Sequence, residues 1–91
     1  MSELDNILEK VADVSGFSPE DIKGRCRKHE LVATRVLFCQ LCEREGFKPE
    51  FYSEVINRDR TQAYHYRNFA RSDYFINLKR KYEQRAKNNS N

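Results

Sequence analysis

Residues 57–68 read Asn-Arg-Asp-Arg-Thr-Gln-Ala-Tyr-His-Tyr-Arg-Asn. Asp59 lies between two guanidiniums, Arg58 and Arg60, with Thr61 and Gln62 directly after it. These residue types can read a base pair. A carboxylate accepts from the cytosine amine, a guanidinium pairs bidentately with guanine, and a Thr methyl packs on the thymine methyl. The same Asp can cap a helix, with Gln62 three residues on. A cap and a base contact do not exclude each other. A second basic group, Arg25, Arg27 and Lys28, falls in the stretch Gly24–His29, which has no apolar anchor and reads as an exposed loop. Cations on such a loop suit phosphates, and an Arg is favoured by the negative potential of a narrow minor groove.

Other chemistry has less support. Cys26 and His29, followed by Cys39 and Cys42, have spacings known from zinc sites. Cys39 and Cys42, however, fall in the middle of an apolar helical stretch, where Cys is a common core residue. Neither a metal nor another cofactor is expected. The two His, at 29 and 65, have no evident nucleophile to serve, so the chain is not expected to be an enzyme. Three Cys, an odd number, argue for reduced thiols rather than disulfides.

The 91 residues suffice for one small domain, read as residues 1–85 with a frayed tail over 86–91. Net charge is +3, unevenly placed: residues 1–22 carry −5 and the remainder +8. A basic body behind an acidic leader suits a polyanionic partner. No run approaches the ~18 apolar residues of a membrane span. The start, Met-Ser-Glu-Leu-Asp-Asn-Ile-Leu-Glu-Lys, is acidic and amphipathic, unlike a signal peptide, and a cytoplasmic protein is expected.

The elements that must hold these groups are all helical. Leu4, Ile7, Leu8 and Val11 make one apolar face over residues 2–14, with Ser2 as cap and Gly16 as stop. Ser18 and Pro19 start a second, short helix that Gly24 ends. The stretch from about 30 to 45 is apolar around most of its circumference, as in a central helix packed on several sides, and Gly46 closes it. Pro49 opens a helix of about two turns in which Phe51/Val55 and Tyr52/Ile56 pair at i,i+4. Asn57 tolerates the left-handed backbone of a tight turn, Asp59 caps a helix to about Ala70, and Ser72–Asp73 starts a last helix with Tyr74, Phe75, Leu78 and Tyr82 inward. The expectation is an all-α fold of about six helices around a central one, with a helix-turn-helix at about 49–70.

From Pro49 to Tyr66 the residues resemble the C-terminal DNA-binding domain of the bacterial replication initiator DnaA. Pro49, Glu50, Arg58, Asp59, Thr61 and His65 match that family's helix-turn-helix without a gap. Upstream, Arg25, Arg27 and Lys28 stand where the family has a basic loop, and Arg35 matches a further family Arg early in the central helix. The likeness covers roughly residues 5–85. It departs at Arg60, a His in the family, at Gln62, a Thr, and at Tyr52, Ile56 and Asn57, where the family has glycines.

The resemblance implies that double-stranded DNA is the partner. Arg27 would enter the minor groove, and Asp59, Arg60 and Thr61, with Gln62 beside them, would face base edges in the major groove. Pro49 would approach backbone or base methyls. Arg25, Lys28 and Arg58 would neutralise phosphates. The family's ATPase domain has no counterpart in these residues, which hold no Gly-x-x-x-x-Gly-Lys-Ser/Thr segment, so no nucleotide is expected. A different class of function, a helical protein-interaction module on the same scaffold, would use the acidic first helix and the Tyr/Phe content as its interface.

Overall fold

A computed structural model describes residues 3–26, 28–59 and 73–89, with side chains to residue 85 in the last segment. The fold is all-α: five helices and no strand among the described residues. They are α1 (Glu3–Ser15), α2 (Pro19–Lys23), α3 (His29–Arg44), α4 (Pro49–Val55) and α5 (Asp73–Asn89). The expected cap at Ser2, the helix at 59–70 beyond Asp59, and Ser72 lie outside the described residues.

Each helix has a legible start or stop. Ser18 and Asp21 form a reciprocal capping box on α2: the Asp21 N–H donates to Ser18 Oγ at 3.2 Å, and the Ser18 N–H donates to Asp21 Oδ2 at 3.4 Å. The end of α3 is a Schellman turn. The Gly46 N–H donates to the Glu43 carbonyl and the Phe47 N–H to the Cys42 carbonyl, with Gly46 at φ 91°. At the end of α4 the same motif recurs without glycine. The Asn57 N–H donates to the Glu54 carbonyl and the Arg58 N–H to the Ser53 carbonyl, with Asn57 at φ 57°. Asn is one of the few residues that occupy this left-handed region readily. Asn57 thus takes the left-handed conformation expected of it from the sequence.

Helix α3 packs against each of the other four. Ten of its residues are buried, among them Val36, Leu37, Phe38, Cys39 and Cys42 with no exposure at all. Ile7, Leu8 and Val11 of α1, Ile22 of α2, Tyr52 of α4 with Ile56 just after it, and Phe75 and Leu78 of α5 complete one apolar cluster. Arg85 pairs with Asp13, tying α5 to α1 at the surface. Helix α5 continues to Asn89, because Gln84, Arg85, Ala86 and Lys87 are good helix formers and no Gly or Pro interrupts them.

The three Cys are free thiols, with Cys26 exposed and Cys39 and Cys42 buried. Burial, followed by the nearby Glu43 and Glu45 carboxylates, pushes the Cys42 thiol up to about 12. Burial, Cys42 and Glu43 raise Cys39 further still. An aromatic disulfide reagent should therefore titrate Cys26 quickly in the native protein and the other two only on unfolding. Alkali should separate the same groups. A thiol whose folded value lies above its unfolded one stabilises fully below the unfolded value, and that contribution is lost as pH climbs toward the folded one. Raising pH from about 9 toward 12 should lower stability, and replacing Cys42 by Ala should flatten that part of the profile. An equally steep profile in the variant would show that the loss arises elsewhere.

Candidate nucleic-acid interface

Helix α2 has only five residues, so its last carbonyls lack partners within the helix and carry the negative end of its dipole. Two guanidiniums from elsewhere in the chain answer them. Arg35, two turns into α3, is 1% exposed. Its Nε donates to the Ile22 carbonyl at 2.8 Å and its Nη1 to the Cys26 carbonyl at 2.7 Å. Its Nη2 donates to the carbonyls of Gly24 at 3.0 Å and Asp21 at 3.3 Å. A buried guanidinium is costly unless its donors are occupied, and here they are spent on the main chain. Among the described residues no buried side-chain nitrogen or oxygen lacks a partner.

Arg35, which the family match set among the candidate DNA contacts, thus has its guanidinium on the main chain rather than at the surface. It anchors the loop that follows α2 from the core side. Above that anchor, the side chains of Arg25, Cys26 and Lys28 are exposed. The loop is basic outside and fastened inside.

The second guanidinium is Arg58. It is half-buried just past the turn that ends α4. Its Nη2 donates to the Gly24 carbonyl and its Nη1 to that of Lys23 at 3.5 Å. Nη1 also meets the carbonyls of Asn57 at 3.2 Å and Ile56 at 3.4 Å. Arg58 was expected to hold a phosphate; in the free protein its guanidinium lies on the backbone of the basic loop. The Gly24 carbonyl accepts from both Arg35 and Arg58. A side chain on Gly24 would have its Cβ 3.3 Å from the carbonyl oxygens of Glu20 and Asp21, so the chain is tight here as well.

The structure thus brings the basic loop beside the turn that leads to Asp59, which is exposed. Pro49, half-buried, occupies the first turn of α4 behind an exposed Lys48. Arg27, Arg60, Thr61 and Gln62 lie outside the described residues. Tyr52 is fully buried, and its hydroxyl donates to Glu43 Oε2 at 2.9 Å, bracing α4 against the end of α3.

What Arg35 and Arg58 do for the loop was not foreseen from the sequence. The signal available was indirect: a helix of five residues followed by a loop without apolar anchors needs donors for its carbonyls. Cys39 and Cys42 belong to the core, and among the described residues no three His, Cys, Asp or Glu side chains gather as they would around a metal. Among the described residues, too, no helix is long and apolar enough to cross a membrane. No family model matches this chain, and no curated protein matches it.

Proposed function

We propose that the chain binds double-stranded DNA sequence-specifically, with the loop at 25–28 in the minor groove and the tip of a DnaA-type helix-turn-helix in the adjacent major groove. Such a protein would act in replication, transcription control or a mobile element. The observation that carries the reading is the junction at Gly24, where a loop bearing Arg25 and Lys28 is fastened to the turn that precedes Asp59. Two segments far apart in sequence, each suited to one groove, are held side by side.

In this reading Arg27 enters the minor groove, and Asp59, Arg60 and Thr61 meet base edges with Gln62 beside them. Arg25 and Lys28 hold phosphates, and Pro49 approaches the backbone. With Arg25 and Lys28 on phosphates and Arg27 and Arg60 in the grooves, about four neutralised charges give a slope of log K against log[salt] of about −3.6 on duplex DNA. Titrating a labelled duplex across a range of salt concentrations tests this directly.

A protein-interaction role is the second reading. Its support is Phe51, 53% exposed on α4 between the exposed acids Glu50 and Glu54. A flat salt response, or no duplex binding at low salt, would favour it over DNA.

A further inference from the structure

We infer that Arg58 is a positioning residue: it locks the basic loop to the turn after α4, so that the two segments move and bind as one unit. The inference rests on the proposed DNA-binding role for its functional consequence, but the lock itself is a property of the free protein. Four observations converge on it. Arg58 follows directly on a Schellman turn whose left-handed residue, Asn57, fixes the direction in which the chain leaves α4. Its guanidinium spans to the carbonyls of Lys23 and Gly24, more than thirty residues earlier. The same group also grips its own turn through the carbonyls of Ile56 and Asn57, so both sides of the junction are held by one planar fork. The Gly24 carbonyl that it meets is already fixed from below by the buried Arg35.

This geometry divides the labour between the two arginines. Arg35 fastens the loop to the core. Arg58 fastens it to the turn and so sets the register between the candidate minor-groove and major-groove segments. A phosphate contact needs only a positive charge, and Lys supplies that as well as Arg does. Bridging several carbonyls at fixed angles needs the guanidinium fork, which an ammonium cannot reproduce. Arg58→Lys therefore separates the two roles.

The first measurement needs no DNA. Arg25, Arg27 and Lys28 offer trypsin three sites within four residues, and cleavage follows the population in which the loop is open. In both Arg58→Lys and Arg58→Ala, cleavage at these sites should accelerate by roughly fivefold or more, while cleavage at Lys79–Lys81 in α5 stays as it was. No acceleration at the loop would overturn the lock. A parallel acceleration in α5 would make Arg58 a general stability contact, and would overturn it too.

The second measurement uses a duplex enriched from a random pool by the wild-type protein. Both variants should bind it about tenfold more weakly with the salt slope unchanged, because no phosphate contact has been removed. A slope shallower by about 0.9 in Arg58→Ala, with normal binding by Arg58→Lys, would identify a phosphate contact and overturn the positioning role. If wild-type protein enriches no duplex while loop cleavage still accelerates in both variants, the lock holds and the DNA reading alone fails.

Discussion

Replacing Arg35 by Met should cost the domain about 3–5 kcal/mol of unfolding free energy, although its apolar stem is largely preserved. The substitution takes the guanidinium from the carbonyls of Asp21, Ile22, Gly24 and Cys26 at once; Gly24 keeps Arg58 and Asp21 keeps the Gly24 N–H, so the burden falls on Ile22 and Cys26. Each hydrogen bond to a charged donor is worth roughly 1.5–3 kcal/mol, and a carbonyl left buried and unpaired costs about 1–3 kcal/mol. Part of that is recovered because Met avoids the desolvation of a charge. A domain of this size holds only about 5–14 kcal/mol in total, so the loss is a large fraction of what there is. With a urea m-value of about 1–1.5 kcal/mol per molar, the midpoint should fall by 2 M or more. Arg35→Lys should recover little, since an ammonium on a flexible stem cannot meet carbonyls on so many sides. Arg25→Met, at an exposed position of the same loop, should stay within about 0.5 kcal/mol of wild type. A shift below about 1 kcal/mol for Arg35→Met would show that the carbonyls find other partners and that the guanidinium is not what fastens the loop.

That arginine also marks where the fold was legible in the sequence and where it was not. Period and the caps that fall on described residues are local, and these succeeded. The face of Ile7, Leu8 and Val11, the Ser18–Asp21 box, the all-round burial of α3 and the left-handed Asn57 were each implied by a few adjacent residues. What failed was long-range. Arg is among the residues least often buried, so Arg35 and Arg58 read as surface cations. Their partners are backbone carbonyls 9 to 14 residues away for Arg35, and 34 or 35 residues away across the Arg58 junction. A carbonyl has no side-chain identity, so no pattern of residue types announces it. Tyr52 belongs with them. In the sequence it stood as a departure from a glycine; in the fold it fills the space between α4 and α3, and its hydroxyl finds Glu43.

The other large effect concerns the stretch from Arg58 to Thr61, whose three consecutive charges have different roles in the proposed reading. In that reading Arg58 holds the loop, and Asp59 and Arg60 would read the bases. On the preferred duplex, Arg60→Ala should cost about 1–3 kcal/mol and relax specificity at one position, a guanine by the chemistry of the guanidinium. Asp59→Asn exchanges one good N-cap residue type for another, so its unfolding midpoint should hardly move, while preference at a neighbouring cytosine should fade because an amide no longer offers only acceptors to the base amine. Arg27→Ala should weaken binding far more than Lys28→Ala, since one side chain would sit in the focused potential of the minor groove and the other at the rim. Selecting duplexes from a random pool with each variant, and measuring affinity on the winners, separates these effects from simple loss of charge. Loss of charge alone would lower binding to every sequence together and reduce the salt slope by about one per residue. If Arg60→Ala and Asp59→Asn select the same sequences as wild type, Asp59 is a cap and Arg60 a solvated charge. Equal small losses for Arg27→Ala and Lys28→Ala would in turn reduce the loop to diffuse electrostatics.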